Sequence, residues 1–311
     1  MGKGRKAVIT GATGFIGSHI TRFFVSEGWK VHCILWVKQP DITPLQDIKN
    51  SITLHYYDQT AESLNEIVRK TGPDVVFHLA SLFLANHNPQ DVKPLVESNI
   101  LLGTQLIEAM VSNGVYSLVN TGTSWQHYHN EEYNPVCLYA ATKQAFESIL
   151  KYYTESSPLK VVTLKLFDTY GPGDTRRKLF TLLRCAEEGN LFKMSPGNQL
   201  VDLVFIDDIV KAFSIAADRL LHGKVKKPET LAVSSGNPVS LKKVVQRYLE
   251  ISGKKITIQW GGIPYRAREV MRPWRNGKKL PGWKPMVSLK EGIRRMKMVN
   301  ELQESNRGEN G

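Results

Sequence analysis

The sequence predicts an α/β protein built on a doubly wound parallel sheet, with a smaller C-terminal α/β lobe interleaved with it. Three observations carry that prediction. Short apolar strand-like runs alternate with helical stretches from Lys6 to Phe167. The glycine-rich stretch Gly11-Ala12-Thr13-Gly14-Phe15-Ile16-Gly17 stands between the first strand and the first helix. After Tyr170-Gly171-Pro172-Gly173 the rhythm loosens, and Gly, Pro and basic residues become common. Regular strand–helix alternation implies a parallel sheet with helices on both faces and right-handed crossovers.

Lys6–Thr10 (KAVIT) is the first strand, and Ser18–Glu27 the helix after the glycine loop. Val31–Trp36 and Ile52–Tyr57 are the second and third strands. Asp74–Leu79 is the fourth, bounded by Gly72-Pro73. Asn99–Asn113 is a helix, with Ile100, Leu101, Leu106, Ile107 and Met110 at helical spacing. Ser117–Asn120 is the fifth strand, Tyr139–Thr154 a helix and Lys160–Phe167 the sixth strand. Beyond it, Lys178–Glu188, Asp207–Leu221 and Leu241–Ile251 are helical, and Leu203–Ile206 and Lys255–Gln259 are short strands. Gly236–Ser240 is a turn, and the polar ending ESNRGENG is expected to fray.

The chain has 311 residues, enough for one large domain or two unequal lobes. No apolar run approaches the ~18 residues of a membrane span. The run AVIT near the start is too short for a signal-peptide core, so the expected location is the cytoplasm. Cys33, Cys137 and Cys185 lie far apart and make no metal-ligand spacing, so no metal site is expected. The net charge of +12 raises nucleic acid as a partner, but no regular basic stripe interleaved with aromatics is present. A solvated basic surface or an anionic small ligand accounts for it better.

The glycine stretch lies in the strand-to-helix context that a dinucleotide-binding loop requires. Gly11 permits the sharp turn, Gly14 lets a pyrophosphate approach the backbone, and Gly17 lets the helix pack on the strand. The helix N-terminus then faces the phosphates. In the segment LYAATKQ, Tyr139 and Lys143 stand one helical turn apart and share a face.

The spacing GxxGxxG together with YxxxK resembles the short-chain dehydrogenase/reductase superfamily in its extended branch, the NAD-dependent epimerase/dehydratase family. The resemblance covers nearly the whole chain. It extends to HLAS at 78–81, Asn99, YGPGD at 170–174, VDLVFIDDIVKAF at 201–213 and LPGWKPMVSLKEGI at 280–293. It implies a Rossmann-like dinucleotide-binding domain over 1–168, to which 203–233 returns. A substrate-binding lobe over 169–202 and 234–300 follows, with a flexible tail over 301–311. It also implies that Tyr139 is the catalytic acid, that Lys143 lowers its pKa and holds the cofactor ribose, and that Thr123 bonds the substrate oxygen, with Ser124 as the alternative register. A phenol, with an unperturbed pKa of ~10, is a poor donor near neutrality until its anion is stabilised.

Cofactor contacts are expected from Gly11, Thr13, Gly14, Phe15, Ile16, Gly17, Leu79, Ala80, Ser81, Asn99, Thr121, Phe167 and Thr169, besides Tyr139 and Lys143. Asp58 is expected at the adenine. The second strand ends Ile34-Leu35-Trp36-Val37-Lys38, with no carboxylate before Asp41. An acidic residue there would bind a ribose hydroxyl, and a basic one a 2′-phosphate. NADP(H) is therefore favoured, with Lys38 on the phosphate and Trp36 beside the adenine; NAD(H) is the alternative.

The extended branch mostly acts on nucleotide-linked sugars, and two phosphates suit a basic second lobe. Arg177, Lys178 and Arg266, with Arg176 and Arg268 nearby, line the corresponding cleft in relatives, and Ser124 joins the substrate contacts. Relatives often carry arginine where this chain has Val201. The 4,6-dehydratases need an Asp-Glu pair after the catalytic Thr, where Ser124-Trp125 stands. TGTSWQHY and FDTYGPGD resemble the 4-ketoreductases that finish deoxyhexoses, such as CDP-abequose and paratose synthases, which serve glycan biosynthesis. Reduction of a 4-keto-6-deoxy sugar is thus the expected reaction. A 4-epimerase with tightly held NAD is the alternative, and a dinucleotide-binding regulatory or RNA-binding scaffold the non-enzymatic one. Helices 99–113 and 140–154 correspond to the dimer interface of relatives, which implies a homodimer.

Overall fold

The computed structural model of the chain describes residues 4–36 and 41–308. The first six strands are β1 (Lys6–Thr10), β2 (Lys30–Trp36), β3 (Ile52–Tyr57), β4 (Val75–His78), β5 (Ser117–Thr123) and β6 (Lys160–Leu166). The later ones are β7 (Asp168–Tyr170), β8 (Leu191–Met194), β9 (Leu200–Val201), β10 (Leu203–Phe205), β11 (Glu229–Val233), β12 (Val239–Ser240) and β13 (Thr257–Trp260). The helices are α1 (Phe15–Ser26), α2 (Ala61–Thr71), α3 (Val92–Val96), α4 (Leu102–Ser112), α5 (Leu138–Ser156), α6 (Leu179–Cys185), α7 (Ile206–Leu221), α8 (Leu241–Ser252) and α9 (Leu289–Gly308).

Seven strands form one sheet in the order β11-β6-β5-β4-β1-β2-β3. Every pairing in it is parallel. Both faces are covered, as a parallel sheet requires. The period of two divides the strand residues between two cores. Ala7 and Ile9 of β1 pack with Phe24 of α1 and Phe213 of α7. Val8 between them packs with Leu64, Leu106 and Phe146 of α2, α4 and α5. Strand order reverses between β1 and β4, so a crevice opens at their C-terminal ends, where open α/β sheets bind ligands.

The remaining strands make three small two-stranded ribbons, β7–β10, β9–β12 and β8–β13. Two buried carboxylates pin the chain around them. Asp202 accepts from Ser234 Oγ at 2.6 Å and from the Ser235 N–H at 2.7 Å. Asp208 accepts from the N–H groups of Met286 and Val287, each at 3.0 Å, while its backbone carbonyl takes Trp283 Nε1 at 2.8 Å. These bonds carry the segment after β13 back over the start of α7.

Four boundaries differ from expectation for identifiable reasons. Helix α1 begins at Phe15 rather than Ser18, because Gly14 itself serves as the N-cap. The helix expected at Asn99–Asn113 is composite: α3, a π-turn over Glu97–Leu101, then α4. β5 continues to Thr123 because its bonds to β6 run on as far as Thr123 opposite Leu166. The expected flexible tail is helical through Gly308, as part of α9. Pairs at i,i+4, Arg295 with Glu291 and Lys297 with Glu301, support that helix.

Asp208→Asn tests the second pin. A carboxamide offers one oxygen to two N–H donors and turns an NH₂ toward one of them. The expected loss is about 1–3 kcal/mol of unfolding free energy, read from the urea midpoint.

Candidate active site

The glycine loop is shaped by backbone crowding. Gly11 has φ +72, and a Cβ there would lie 2.6 Å from the Ala80 nitrogen. A Cβ on Gly17 would lie 2.0 Å from the Gly11 carbonyl oxygen. The Gly14 N–H donates to that same carbonyl at 3.0 Å, closing the turn. No side chain caps the N-terminus of α1, and its first turn holds no acid. Its free N–H groups and the positive end of its dipole are therefore available to an anion.

Gly11, Gly14, Phe15, Ile16 and Gly17 line a cavity of about 200 Å³ together with Leu79, Ser81, Thr121, Thr123, Tyr139, Lys143, Phe167 and Thr169. Two polar atoms of this group are buried with no hydrogen-bond partner among the described residues, Lys143 Nζ and Thr121 Oγ1. A backbone cradle with no room for side chains, an uncapped helix and an unpaired ammonium fit the phosphates and ribose of a dinucleotide. Those residues would hold a nicotinamide cofactor.

Helix α5 carries the acid and its cation. Ala140, Lys143, Phe146 and Leu150 form its buried face. Phe146 lies so close to α4 that a Cβ on Gly103 would come within 2.5 Å of its ring. Burial raises the Tyr139 phenol above its ordinary value, the neighbouring Cys137 raises it further, and the nearby Ser81 side chain and the Arg176 charge oppose the rise. Lys143, expected to do that opposing, instead stands unpaired. Burial pushes it down to about 8, Glu147 resists that, and Lys165 adds to it.

Glu147, Lys165 and Gln126 lie beneath. Both Glu147 oxygens accept from Lys165 Nζ at 2.8 Å. Gln126 Nε2 donates to Glu147 at 3.1 Å and to Gln144 at 2.7 Å, while its oxygen accepts the Thr123 N–H at 3.0 Å. Gly122 leaves room for this cluster, since a Cβ there would lie 2.9 Å from Glu147 Oε1. Thr123 Oγ1 accepts the Trp125 N–H at 3.3 Å, which leaves its own proton to donate.

A second cavity, of about 300 Å³, adjoins the first and shares Phe83, Ser124, Trp125, Phe167, Asp168 and Lys178 with it. Arg177, Lys178 and Arg266 line it, and Val201 adds an apolar wall. Each cation but one has an acid. Lys178 lies 3.8 Å from Asp168, and Arg266 is bound by Glu269 at 2.9 Å with its guanidinium 5.0 Å over Trp125. Arg177 is exposed and has no described partner. Arg268 sits over Tyr128 and lines a neighbouring cavity. Arg176 lines the cofactor-side cavity instead, held by Asp174 at 2.7 Å and by the Thr169 carbonyl, 4.7 Å over the Phe15 ring.

Other expected contacts fall elsewhere. Thr13 lies in the turn of the glycine loop, and Ala80 backs that loop, donating its N–H to Thr10 Oγ1. Trp36 ends β2 with its ring edge-on to Tyr57, and Asp58 follows β3 with its carboxylate on Thr60. Lys38 lies outside the described residues. Asn99 needs correction: it is 1% exposed, and all four of its amide bonds go to protein groups, so its side chain braces the site from behind.

Sequence reading missed Phe83, His127 and Trp274, which line the second cavity. Trp274 stacks on His127 with centroids 3.9 Å apart. All three lie in irregular segments, where no periodicity marks them.

Lys143→Met tests the unpaired ammonium. Removing a buried charge should stabilise the fold by about 1–3 kcal/mol near neutrality while weakening dinucleotide binding. The native lysine releases its proton near 8 rather than at 10.5, so the unfolded chain binds more protons between those values. Wild-type stability should therefore rise toward that of the variant as pH rises from about 8 to 10.5, followed by thermal unfolding across pH.

Comparison with known proteins places this arrangement. The family model described as "NAD dependent epimerase/dehydratase family" matches residues 7–229, more than half of the chain. A CDP-abequose synthase of Yersinia pseudotuberculosis is 26% identical over 275 residues, covering 86% of this chain and 91% of that protein. A UDP-glucuronate 4-epimerase of Thermodesulfobacterium geofontis is 26% identical over 310 residues, covering 93% and 94%. The fold is shared with a UDP-glucose-4-epimerase from Stenotrophomonas maltophila solved with bound NAD and formylated UDP-arabinopyranose, at a TM-score of 0.84 and 18% identity, covering 97% and 99%. The chain belongs to the NAD-dependent epimerase/dehydratase family of extended short-chain dehydrogenase/reductase enzymes.

Proposed function

We propose that the protein reduces the C4 ketone of a nucleotide-linked 4-keto-6-deoxy sugar, with NADPH as the favoured reductant. The observation that carries this reading is the wall of the second cavity, where Trp125, Val136, Phe167, Val201 and Trp274 present apolar surface. A 6-deoxy sugar offers a methyl group where a hexose offers a hydroxymethyl and a uronic acid a carboxylate. The methyl gains from such a wall, whereas an unpaired polar group there would cost free energy. Ser124-Trp125 also leaves no carboxyl pair after Thr123 to expel a hydroxyl.

The nicotinamide, when bound, supplies the hydride for C4. Tyr139 donates its proton to the carbonyl oxygen as negative charge grows there, and is reprotonated from solvent. The Thr123 hydroxyl, its oxygen already engaged by Trp125 N–H, donates to the same oxygen. Lys143 holds a ribose hydroxyl and favours the tyrosinate by its charge. Arg177, Lys178 and Arg266 receive the diphosphate in place of the arginine absent at position 201. A 4-epimerase would use the same residues, and the similarity to a UDP-glucuronate 4-epimerase favours that as the second reading.

The chain is also proposed to dimerise through α4 and α5 and the segment before them. Val92, Val96, Leu101 and Tyr152 are large apolar side chains exposed there. A dimer mass in sedimentation equilibrium is expected, and a monomer at micromolar concentration would refute it. No helix among the described residues is long and apolar enough to cross a membrane.

The reaction is tested by adding 4-keto-6-deoxy sugar nucleotides with NADPH or NADH and following net nicotinamide oxidation. Stoichiometric oxidation, faster with NADPH, is expected, and Tyr139→Phe should remove turnover by about 100-fold or more while still binding dinucleotide. Tightly retained NAD with sugar interconversion and no net oxidation would establish the epimerase instead.

A further inference from the structure

After β7 the chain runs back onto α1 in a tight turn. Gly171 lies so close to α7 that a Cβ there would meet Ile206 Cγ2 at 2.4 Å, with Phe15 Cζ at 3.5 Å. The Pro172 carbonyl accepts from His19 Nε2 of α1 at 3.1 Å. Gly173 turns the chain at φ +78. Asp174 Oδ1 then accepts the Arg176 N–H at 3.1 Å. This turn lays the Arg176 guanidinium 4.7 Å over the ring of Phe15, the first residue of α1. Arg176 Nε donates to Asp174 Oδ1 at 2.7 Å, and Nη2 donates to Asp174 Oδ2 at 2.7 Å and to the Thr169 carbonyl at 2.9 Å. Three of the five guanidinium donors are thus engaged, and the two on Nη1 have no partner among the described residues. Arg176 lines the cofactor-side cavity and not the second, whereas Asp174 lines the second and not the first. Asp174 therefore backs the guanidinium. Gly14, Phe15 and Ile16, at the uncapped start of α1, line the same cavity as Arg176.

We infer that Arg176 binds the cofactor, its Nη1 donating to the pyrophosphate of the dinucleotide beside the N-terminus of α1. Helix and guanidinium are independent sources of positive charge and of free N–H groups, and they share one cavity. A planar guanidinium suits phosphate oxygens, and its hydrogen bonds to them are charge-assisted. Asp174 and the Thr169 carbonyl keep their bonds when the anion arrives, so the donor is fixed in advance and loses little freedom. Arg177, the next residue, lines the second cavity. Two consecutive arginines thus serve the two ligands. The pyrophosphate is common to NADPH and NADH, so Arg176 contributes affinity and not the choice between them. The inference rests on the cavity at Gly11–Gly17 as a dinucleotide site, and not on the sugar or the reaction.

The test measures the affinity of the full chain for NADPH, NADH and ADP-ribose by titration calorimetry. Arg176→Met should weaken all three by about 10- to 100-fold, because each carries the pyrophosphate. The ratio of NADPH to NADH affinity should stay that of wild type. Arg176→Lys, which keeps the charge and loses the fork, should recover part of the loss. Arg176→Met also strands the Asp174 carboxylate, so a double variant, Asp174→Asn with Arg176→Met, is measured beside it. The double variant should bind more tightly than the single one and more weakly than wild type, and it decides alone if the single variant does not fold. Wild-type affinity for ADP-ribose in the double variant overturns the inference, since any loss in the single one is then repulsion by Asp174. A loss confined to NADPH also overturns it, by placing Arg176 on the 2′-phosphate. So does weaker binding of CDP and UDP with ADP-ribose unchanged, which makes Arg176 a substrate contact. A wild type that binds none of the three dinucleotide probes refutes the cavity's reading and the inference together. If dinucleotide binds and no 4-keto-6-deoxy sugar turns over, the proposed reaction fails and the affinities still decide the role of Arg176.

Discussion

The Glu147 carboxylate sets where the candidate active site lies. It stands two helical turns beyond Tyr139 on α5 and reaches Lys165 of β6 with both oxygens, while Gln126 joins the pair to the end of β5. Lys165 is 1% exposed, so the ammonium is fully removed from water. Such a pair recovers its desolvation cost only with good geometry and further hydrogen bonds, and losing one partner would strand the other. The result is directional more than energetic. α5 cannot slide along the sheet without breaking a buried ion pair, so Tyr139 and Lys143 stay at the crevice. One carboxylate serves two nearby buried lysines, and Lys143 is the one left without a bond. A ligand rich in oxygen completes what the fold leaves unpaired.

The crevice becomes an enclosed site only because the second lobe is tied across it. Asp202 and Asp208 do this with backbone donors from segments more than thirty and seventy residues on. Their placement brings Val201 and the aromatic segment around Trp274 against the loop after β5. The net charge of +12 does not act at this site as a general field. Arg176, Lys178 and Arg266 each face their own acid and all three lie over aromatic rings, so they stand preset in direction. Preset donors lose little freedom when an anion arrives, which is where their advantage over loose surface lysines lies.

Lys6–Thr10 and Ile52–Tyr57 occur as strands with the bounds read from sequence, because apolar runs closed by turn residues are a local signal. The end of β5 was not legible. Asn120-Thr121-Gly122-Thr123 lacks a strand pattern and is extended only because β6 bonds it residue by residue. The π-turn was invisible for a related reason, since α and π turns carry the same kind of apolar spacing over so short a stretch. The glycine loop, Tyr139 and Lys143 were legible because their chemistry depends on close spacing within one turn or one helix. Asn99 was legible as a position but not as a role, because its four bonds run to groups elsewhere in the chain.

The sequence by itself determined the sheet-and-helix alternation, the anion-ready loop of Gly11–Gly17, and a tyrosine and a lysine on one helical face. These follow from steric and periodic rules that act over a few residues. Tertiary structure alone decided that Lys143 is buried without a partner, that the ring of Phe83 packs edge-on against that of Tyr139, and that Phe83, His127 and Trp274 wall the second cavity. Those outcomes depend on groups brought together from distant parts of the chain, and on the exclusion of water between them. Burial and long-range closure, which no local pattern encodes, are what set them.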